Sequence, residues 1–215
     1  MMDIFASMPF LWRGLFVTIE VSALVILLSL AAGLMLGVIV TYGPLPARLA
    51  IRLFSDVIRG IPILVLIFAV YYGLPVTGLN LNHFASAVIA LALFSTAQII
   101  EIARGALQSI HHGQTEAGKA IGLTFTQLLA YVIFPQALRR FLPPWINSVA
   151  DIVKGSALVS LVGVVDLMLA IQQVIGRTYV PMPLYVLGAL IYFAINYTLS
   201  SLSRMLEARY AYIRE

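Results

Sequence analysis

Long runs of apolar residues restrict what this chain can fold into. The first run extends from about Leu15 to Tyr42, which is long enough to cross a hydrocarbon core of about 30 Å with some tilt. Only 10% of the 215 residues are charged, and the mean hydropathy is +1.00. A soluble domain carries more charge than this, so most of the protein must face lipid or other apolar helices. The sequence therefore predicts a membrane protein.

The hydropathy pattern predicts an all-α membrane protein with five transmembrane helices, forming a single domain over residues 1–215. The predicted spans are about 15–42, 56–74, 84–107, 143–167 and 184–203. The fourth span is the least hydrophobic because Asp151 and Lys154 interrupt it, so we expect protein rather than lipid around it. In the first span, Gly33 and Gly37 are spaced to let another helix approach closely.

Positive charge falls mainly on one side of these spans. Of the 13 Lys and Arg residues, only Arg13 and Arg177 fall on one side, and all the others fall on or at the edge of the other side. The positive-inside rule then predicts an external N-terminus and a cytoplasmic C-terminus. The first apolar run is too long for a signal peptide, so it is expected to remain in the mature protein.

The longest polar interruption, about residues 109–135, carries start and stop signals for two short helices between the third and fourth spans. Gln114-Thr115-Glu116 predicts a helix start with an acidic residue in its first turn, and Gly122 predicts its left-handed end. Thr124-Phe125-Thr126-Gln127 predicts a capping box for a second helix. We expect that helix to end near Ile133, because Pro135 lacks the N–H that continues a helix. The product is a bent cytoplasmic helix pair that a soluble partner could hold.

Several ordered segments resemble a known family. Glu116-Ala117-Gly118, Gly122 and Ile133-Phe134-Pro135 resemble the EAA loop of permease subunits in bacterial type I ABC importers. Four further segments resemble the polar amino-acid branch of that family: Arg59-Gly60-Ile61-Pro62-Ile63-Leu64, Tyr71-Tyr72-Gly73-Leu74-Pro75, Pro135-Gln136-Ala137-Leu138 and Lys154-Gly155-Ser156-Ala157-Leu158. The resemblance covers roughly residues 10–210. Two positions depart from it, since Gly118 stands where alanine is usual and Gly155 where an acidic residue is common.

The resemblance implies a permease subunit in the bacterial cytoplasmic (inner) membrane. The segment 113–135 would couple it to a cytoplasmic ATPase through five residues: Glu116, Ala117, Gly118, Gly122 and Pro135. The implied partners are a second permease subunit, identical or related, two copies of the ATP-binding subunit and an extracytoplasmic amino-acid-binding protein. ATP and Mg would be bound by the ATPase, so no cofactor is expected in this chain.

Charged and polar residues inside the spans are candidates for the substrate pathway. Asp151 and Lys154, three residues apart on a helix, either neutralise each other or leave Lys154 to meet the carboxylate of a passing amino acid. Glu101 can likewise pair with Arg104 on one helical face. Polar residues of the third span either join helices together or form the opposite wall of the pathway: Ser95, Thr96 and Gln98.

Other functions find little support in the sequence. The chain contains no cysteine and no GxxxxGK[ST] loop, so we expect neither thiol chemistry nor nucleotide binding by this chain. No nucleophile and base stand in a catalytic arrangement, so the chain is not expected to be an enzyme. The basic charge is better explained by membrane topology than by nucleic acid. Adjacent His111 and His112 have no partner at ligand spacing, and His83 is expected to be a surface residue.

Three alternatives remain open at this point. The cargo could be another small polar solute such as an opine, or the chain could be a channel or carrier that needs no ATPase. A membrane scaffold without transport would leave the polar residues of the third and fourth spans unexplained. Gly155 beside Lys154 favours a cargo that is not cationic, because a carboxylate at that position would attract positive charge.

Overall fold

The computed structural model describes residues 6–210, which form an all-helical bundle without β-strands. Nine α-helices are present in this part of the chain: α1 (Met8–Tyr42), α2 (Leu45–Gly60), α3 (Ile63–Val76), α4 (His83–Gln108), α5 (His112–Ala120), α6 (Phe125–Leu128), α7 (Phe134–Gly155), α8 (Leu167–Thr178) and α9 (Pro181–Tyr210). A π-helical turn, Leu129–Ile133, joins α6 to α7, and a 3₁₀ segment, Ser156–Val162, follows α7. The predicted all-α membrane architecture is confirmed.

Four helical segments are long and apolar enough to cross a membrane: Met8–Tyr42, His83–Gln108, Phe125–Val162 and Pro181–Ala208. A fifth crossing exists if α2 and α3, which are bent by 104° relative to each other, are counted as one broken span. The chain termini, whose sides of the membrane the charge pattern predicts, lie outside the described residues.

The predicted second span, 56–74, is interrupted rather than continuous. Ile61 is extended, with φ −92° and ψ 130°, because a residue before proline is driven out of the helical region. Pro62 then precedes the first residue of α3. On the other side of the break, the buried Ser55 hydroxyl donates a hydrogen bond to the Ala97 carbonyl at 3.1 Å, which fixes α2 against the middle of α4.

Close packing of α1 on α4 forms the centre of the bundle. A Cβ atom added at Gly33 would lie 2.5 Å from Ile99 Cγ2, and one added at Gly37 would lie 2.5 Å from Ala103 Cβ. Any side chain at either position would therefore separate the two helices. The predicted close approach through these glycines is confirmed. The contacting surfaces of α1 and α4 are therefore shielded from lipid.

The prediction that a helix ends near Ile133 is wrong. The wider π turn of Leu129–Ile133 carries the chain from α6 into α7, and Pro135 lies in the first turn of α7, where its missing N–H costs least. The continuous helical run that includes α7 consequently begins at Phe125. Pro143 and Pro144 also lie inside α7 without ending it.

The predicted fourth span, 143–167, ends earlier in the structure. The chain tightens into the 3₁₀ segment and leaves it at Gly163, whose φ is +85°. After Gly163 the chain enters α8, whose N-cap is the buried Asp166. The Asp166 carboxylate accepts a hydrogen bond from Leu169 N at 2.9 Å. Leu167 N donates to Thr18 Oγ1 at 3.0 Å, so α8 is held directly against α1.

Candidate coupling segment and transport pathway

The first helix of the candidate coupling segment (about residues 109–135), α5, begins two residues earlier than predicted. His111 acts as the N-cap, and its ring nitrogen Nδ1 accepts a hydrogen bond from Gly113 N at 3.0 Å. Glu116 consequently lies in the second turn, so the prediction of an acidic residue in the first turn is wrong. Its side chain is exposed, as is that of Ala117.

The end of α5 is a Schellman motif, as the glycine signal predicted. Gly122 adopts φ +81°, its N–H donates to the Lys119 carbonyl at 3.0 Å, and Leu123 N–H donates to the Gly118 carbonyl at 3.1 Å. Nothing lies within 4 Å of the Cβ position at Gly122. The backbone conformation, rather than a lack of space, therefore favours glycine at this bend.

The second helix, α6, begins with the predicted capping box. Thr124 Oγ1 accepts a hydrogen bond from Gln127 N at 3.4 Å, and Gln127 Oε1 accepts one from Thr124 N at 2.9 Å. Both capping groups are reciprocally satisfied. The segment therefore contains two short helices with defined ends rather than an irregular loop.

Buried leucine and isoleucine side chains fasten this helix pair to the bundle. Leu128, Ile133 and Leu107 are at most 6% exposed and form one cluster with Ala137. At the edge, the Phe125 ring contacts the Tyr42 ring edge-on, with centroids 5.5 Å apart. Four of the predicted coupling residues are exposed: Glu116, Ala117, Gly122 and Pro135. The fifth, Gly118, is buried beneath Leu128.

Asp151 and Lys154 form an ion pair on an open face of α7. Lys154 Nζ lies 2.8 Å from Asp151 Oδ1, and the two side chains are 59% and 61% exposed. The neighbouring Ile152 and Val153 are buried, so α7 places its charges on one side and its apolar residues in the core. Lys154 lines a pocket of about 310 Å³ with Tyr185 and Tyr192. A charged face inside a long helical span requires water or another protein surface rather than lipid.

The polar residues of α4 are not gathered around Lys154. Ser95 and Thr96 are 3% and 6% exposed inside the bundle, and Gln98 is half-buried. Glu101 accepts hydrogen bonds from the Arg104 guanidinium, with Nε at 3.1 Å. It lines a separate cleft of about 1130 Å³ near the coupling segment, together with Arg139, Arg140 and Arg204. Neither cavity is lined by Ser95, Thr96 or Gln98.

Sequence reasoning missed a buried polar group at the start of α8. Asp166 has no exposed surface, and Tyr192 OH lies 3.4 Å from its second carboxylate oxygen. The group ties α8 to α9 and, through the neighbouring Leu167, to α1. An aspartate directly before an apolar helical stretch is an N-cap signal, so the local sequence contained the clue.

His83 is exposed, as predicted, but its ring joins separate parts of the bundle. His83 Nδ1 lies 2.7 Å from the Val162 carbonyl oxygen and 3.0 Å from the Tyr71 hydroxyl. Within residues 6–210, no three His, Asp or Glu side chains are grouped so that they could hold a metal ion.

The capped helix pair and the surrounding membrane bundle define the class of protein. Residues 29–212 match the family described as the binding-protein-dependent transport system inner membrane component, and the chain belongs to that family. It is therefore a permease subunit of an ATP-driven importer, as the EAA-loop resemblance predicted.

Individual relatives extend over nearly the whole chain. The probable glutamine ABC transporter permease protein GlnP of Bacillus subtilis (strain 168) is 37% identical over 207 residues, covering 94% of both chains. The glutamine transport system permease protein GlnP of Escherichia coli (strain K12) is 36% identical over 208 residues, covering 96% of this chain and 95% of that protein. A solved structure, the crystal structure of an amino acid ABC transporter with histidines, matches with a TM-score of 0.89 and 32% identity over 97% of each chain.

Proposed function

We propose that the cargo of this importer subunit is a small polar amino acid of the glutamine type. The observation that carries the proposal is the 36–37% identity, over more than nine-tenths of the chain, to two permeases named for glutamine. Gly155 beside Lys154 agrees with it, because it supplies no carboxylate that would attract a cationic amino acid. Uptake of labelled glutamine by the reconstituted importer, with arginine and an opine as competitors, tests the proposal. Preferential uptake of either competitor would contradict it.

One chain forms half of the pathway in this proposal, and a second permease subunit, identical or related, forms the rest. The support is the open charged face of α7, where Asp151 and Lys154 are about 60% exposed within a helical run long enough to span a membrane. A second subunit across this face would enclose a polar space. Lys154 would meet the cargo carboxylate, and Glu101 would lie nearer the cytoplasmic end. The burial of Ser95 and Thr96 favours their other role, as contacts between helices.

The cytoplasmic ATPase docks on the exposed surface of α5 and α6 in this proposal, with one ATPase copy for each permease subunit. Two observations support this docking site. A Schellman motif ends α5 and a capping box begins α6, so both helix ends are well defined, and the side chains of Glu116 and Ala117 are exposed. ATP and Mg then belong to the ATPase, and a binding protein delivers cargo from the opposite side. Binding-protein dependence is the family's own description.

In this proposal the chain has five spans and an external N-terminus, so that this segment lies in the cytoplasm of a bacterial cell. Counting the broken α2–α3 pair as one span supports the number of spans, and the positive-inside rule supports the orientation. A reporter fused after Glu215 should then be cytoplasmic, and one before Met1 external. Trimming of the C-terminus by a protease added outside intact cells would contradict the orientation.

Affinity purification of the tagged chain in mild detergent tests the assembly. We expect an ATPase and a permease subunit in equal numbers, and Glu116→Lys should reduce the ATPase recovered because it reverses a charge on the proposed docking surface. Glu116→Gln is the matched control for loss of charge without reversal. Transport in liposomes by the chain alone, without ATPase, would instead establish an independent channel or carrier.

A further inference from the structure

Three helical elements meet at the His83 side chain, and one of them contributes a residue 79 positions away along the chain. His83 is the first residue of α4, Tyr71 lies in the second half of α3, and Val162 is the last residue of the 3₁₀ segment. The imidazole ring also lies against the Tyr71 ring, with centroids 5.4 Å apart. We call the group of His83, Tyr71, Val162 and Gly163 the His83 joint.

The chemistry of the joint fixes which ring nitrogen carries hydrogen. A backbone carbonyl can only accept, so the 2.7 Å contact requires His83 Nδ1 to donate its hydrogen to the Val162 oxygen. The Tyr71 oxygen, 3.0 Å from the same nitrogen, then lies where it is a second acceptor.

Gly163 is suited to the joint in two independent respects. Its φ of +85° is a conformation that side chains disfavour, and a Cβ atom there would lie 3.2 Å from His83 Nδ1. The chain turns out of the 3₁₀ segment at this residue while remaining close enough for the Val162 carbonyl to reach the ring. The imidazole and the glycine therefore fit each other.

The joint holds one end of the segment that follows the Asp151–Lys154 pair. The 3₁₀ segment starts directly after Gly155 and runs for seven residues, whereas 3₁₀ stretches longer than 3–4 residues are uncommon and often mark hinges. Val159 and Val162 are buried in the core with Ile67 and Leu91. The segment is thus continuous with α7 at one end and bonded to His83 at the other.

We propose that His83 is a positioning residue for transport: its Nδ1–H fixes the far end of the 3₁₀ segment, and through that segment the position of Lys154 in the pathway wall. The proposal rests on the proposed function for its effect on transport. Its structural part, the placement of the 3₁₀ segment, can be measured without any cargo.

Substitutions at His83 can distinguish the effect of its hydrogen bond to Val162 from the effect of the size of the imidazole ring. In His83→Asn, the amide nitrogen lies close to the position of Nδ1 and can still donate to Val162. In His83→Gln the amide extends beyond that position, and in His83→Ala the donor is lost. Tyr71→Phe is the matched control, because it keeps the ring contact and leaves the bond between His83 and Val162.

Single cysteines report the position of the segment, because the native chain has none. Leu161, which is 50% exposed within the 3₁₀ segment, is replaced by cysteine, and Met182→Cys, at a 73% exposed position in α9, is the reference site. The complete importer, in lipid nanodiscs, is labelled with a small maleimide. The ratio of amino acid transported to ATP hydrolysed is measured on the same preparations.

We expect His83→Ala and His83→Gln to raise the labelling rate at position 161 about fivefold, as loss of one net hydrogen bond predicts, and to lower the transport ratio. His83→Asn and Tyr71→Phe should stay within about twofold of the native importer. Gly163→Ala should resemble His83→Ala. Labelling at position 182 should not change in any variant.

Equal behaviour of His83→Asn and His83→Gln would overturn the proposal, because only the first preserves the donor to Val162. A change with Tyr71→Phe as large as with His83→Ala would also overturn it, by assigning the role to Tyr71. If His83→Ala does not accumulate, the asparagine and glutamine variants still decide the question. If the native importer moves no amino acid, the proposed function fails, whereas the labelling comparison still tests the joint.

Discussion

Gly118 of α5 lies directly against the side chain of Leu128 in α6. A Cβ atom at position 118 would overlap Leu128 Cδ1, and it would lie 3.5 Å from Leu123 Cδ1. Leu128 is only 2% exposed, so its side chain has little space into which it could move. The glycine that stands where the family usually has alanine therefore allows the two short helices to pack closely.

Gly118→Ala tests this packing, because it combines two opposing effects. Alanine favours the helix by about 1 kcal/mol, whereas overpacking costs about 1–3 kcal/mol. We expect weaker association with the ATPase at an unchanged level of permease in the membrane. Gly105→Ala is the control, since nothing lies within 4 Å of its Cβ position.

Shortening the opposing side chain should relieve the overlap. We expect Leu128→Val to restore most of the ATPase association when combined with Gly118→Ala, although alone it removes buried contacts. If the double variant is no better than Gly118→Ala, the contact with Leu128 does not cause the defect.

The bend at Gly122 gives a prediction that depends on backbone conformation alone. Gly122→Val forces a β-branched residue into φ +81°, a strain of order 1–3 kcal/mol, while open space surrounds its side chain. We expect loss of uptake and of ATPase association. Gly122→Asn should retain much more of both, because asparagine tolerates the left-handed region. Equal loss with valine and asparagine would show that the surface, not the bend, requires glycine.

Local signals in the sequence were sufficient where the structure depends on neighbouring residues. The capping box at Thr124, the left-handed end at Gly122 and the close approach at Gly33 each follow from residue types at fixed spacing. Long apolar runs likewise identified the helical segments that can cross a membrane. These features needed no knowledge of the rest of the fold.

The sequence failed where a distant group or an irregular turn decides the outcome. Pro135 predicts a helix end. In the structure, a π turn at Leu129–Ile133, which has no simple sequence signal, continues the helical run, and Pro135 lies in the first turn of α7. His111 caps the N-terminus of α5, so the helix begins at His112 rather than at the predicted start, Gln114. Local sequence signals the N-cap bond of Asp166 to Leu169, but Tyr192 lies 26 residues from Asp166 and Val162 lies 79 residues from His83, so these contacts could not be inferred locally.

Asp166 should contribute to stability rather than to transport chemistry. Asp166→Ala removes the N-cap of α8 and leaves Leu169 N without its buried acceptor, at a combined cost of about 2 kcal/mol or more. Asp166→Asn keeps an oxygen at the cap and should cost less than about 1 kcal/mol. Thermal unfolding of the purified importer measures both. Equal loss of stability in the two variants would show that the negative charge matters more than the cap.

Lys154 should matter to uptake more than to folding. An exposed ion pair typically contributes about 0–1 kcal/mol, so Lys154→Met should leave the amount of importer in the membrane nearly unchanged. Uptake should fall at least tenfold if the ammonium group binds the cargo carboxylate in a site that excludes water. The structural alternative predicts the reverse pattern: loss of protein with Lys154→Met, and recovery when Asp151→Asn is added.

Gly155 gives the most direct control of cargo charge. A Cβ atom at this position would lie 3.8 Å from Ile63 Cδ1, an ordinary contact, so Gly155→Glu can place a carboxylate next to Lys154 without a clash at its first atom. That carboxylate should compete with the cargo for Lys154 and attract a positive side chain. We expect glutamine uptake to fall and the ratio of arginine to glutamine uptake to rise about tenfold, which corresponds to about 1.4 kcal/mol between charged groups. Gly155→Gln is the uncharged control and should leave that ratio unchanged.

The binding protein also selects cargo, so the comparison uses a single binding protein throughout, or a permease-only binding measurement in nanodiscs. If native importer already prefers arginine and Gly155→Glu does not increase that preference, position 155 has no part in selecting charge.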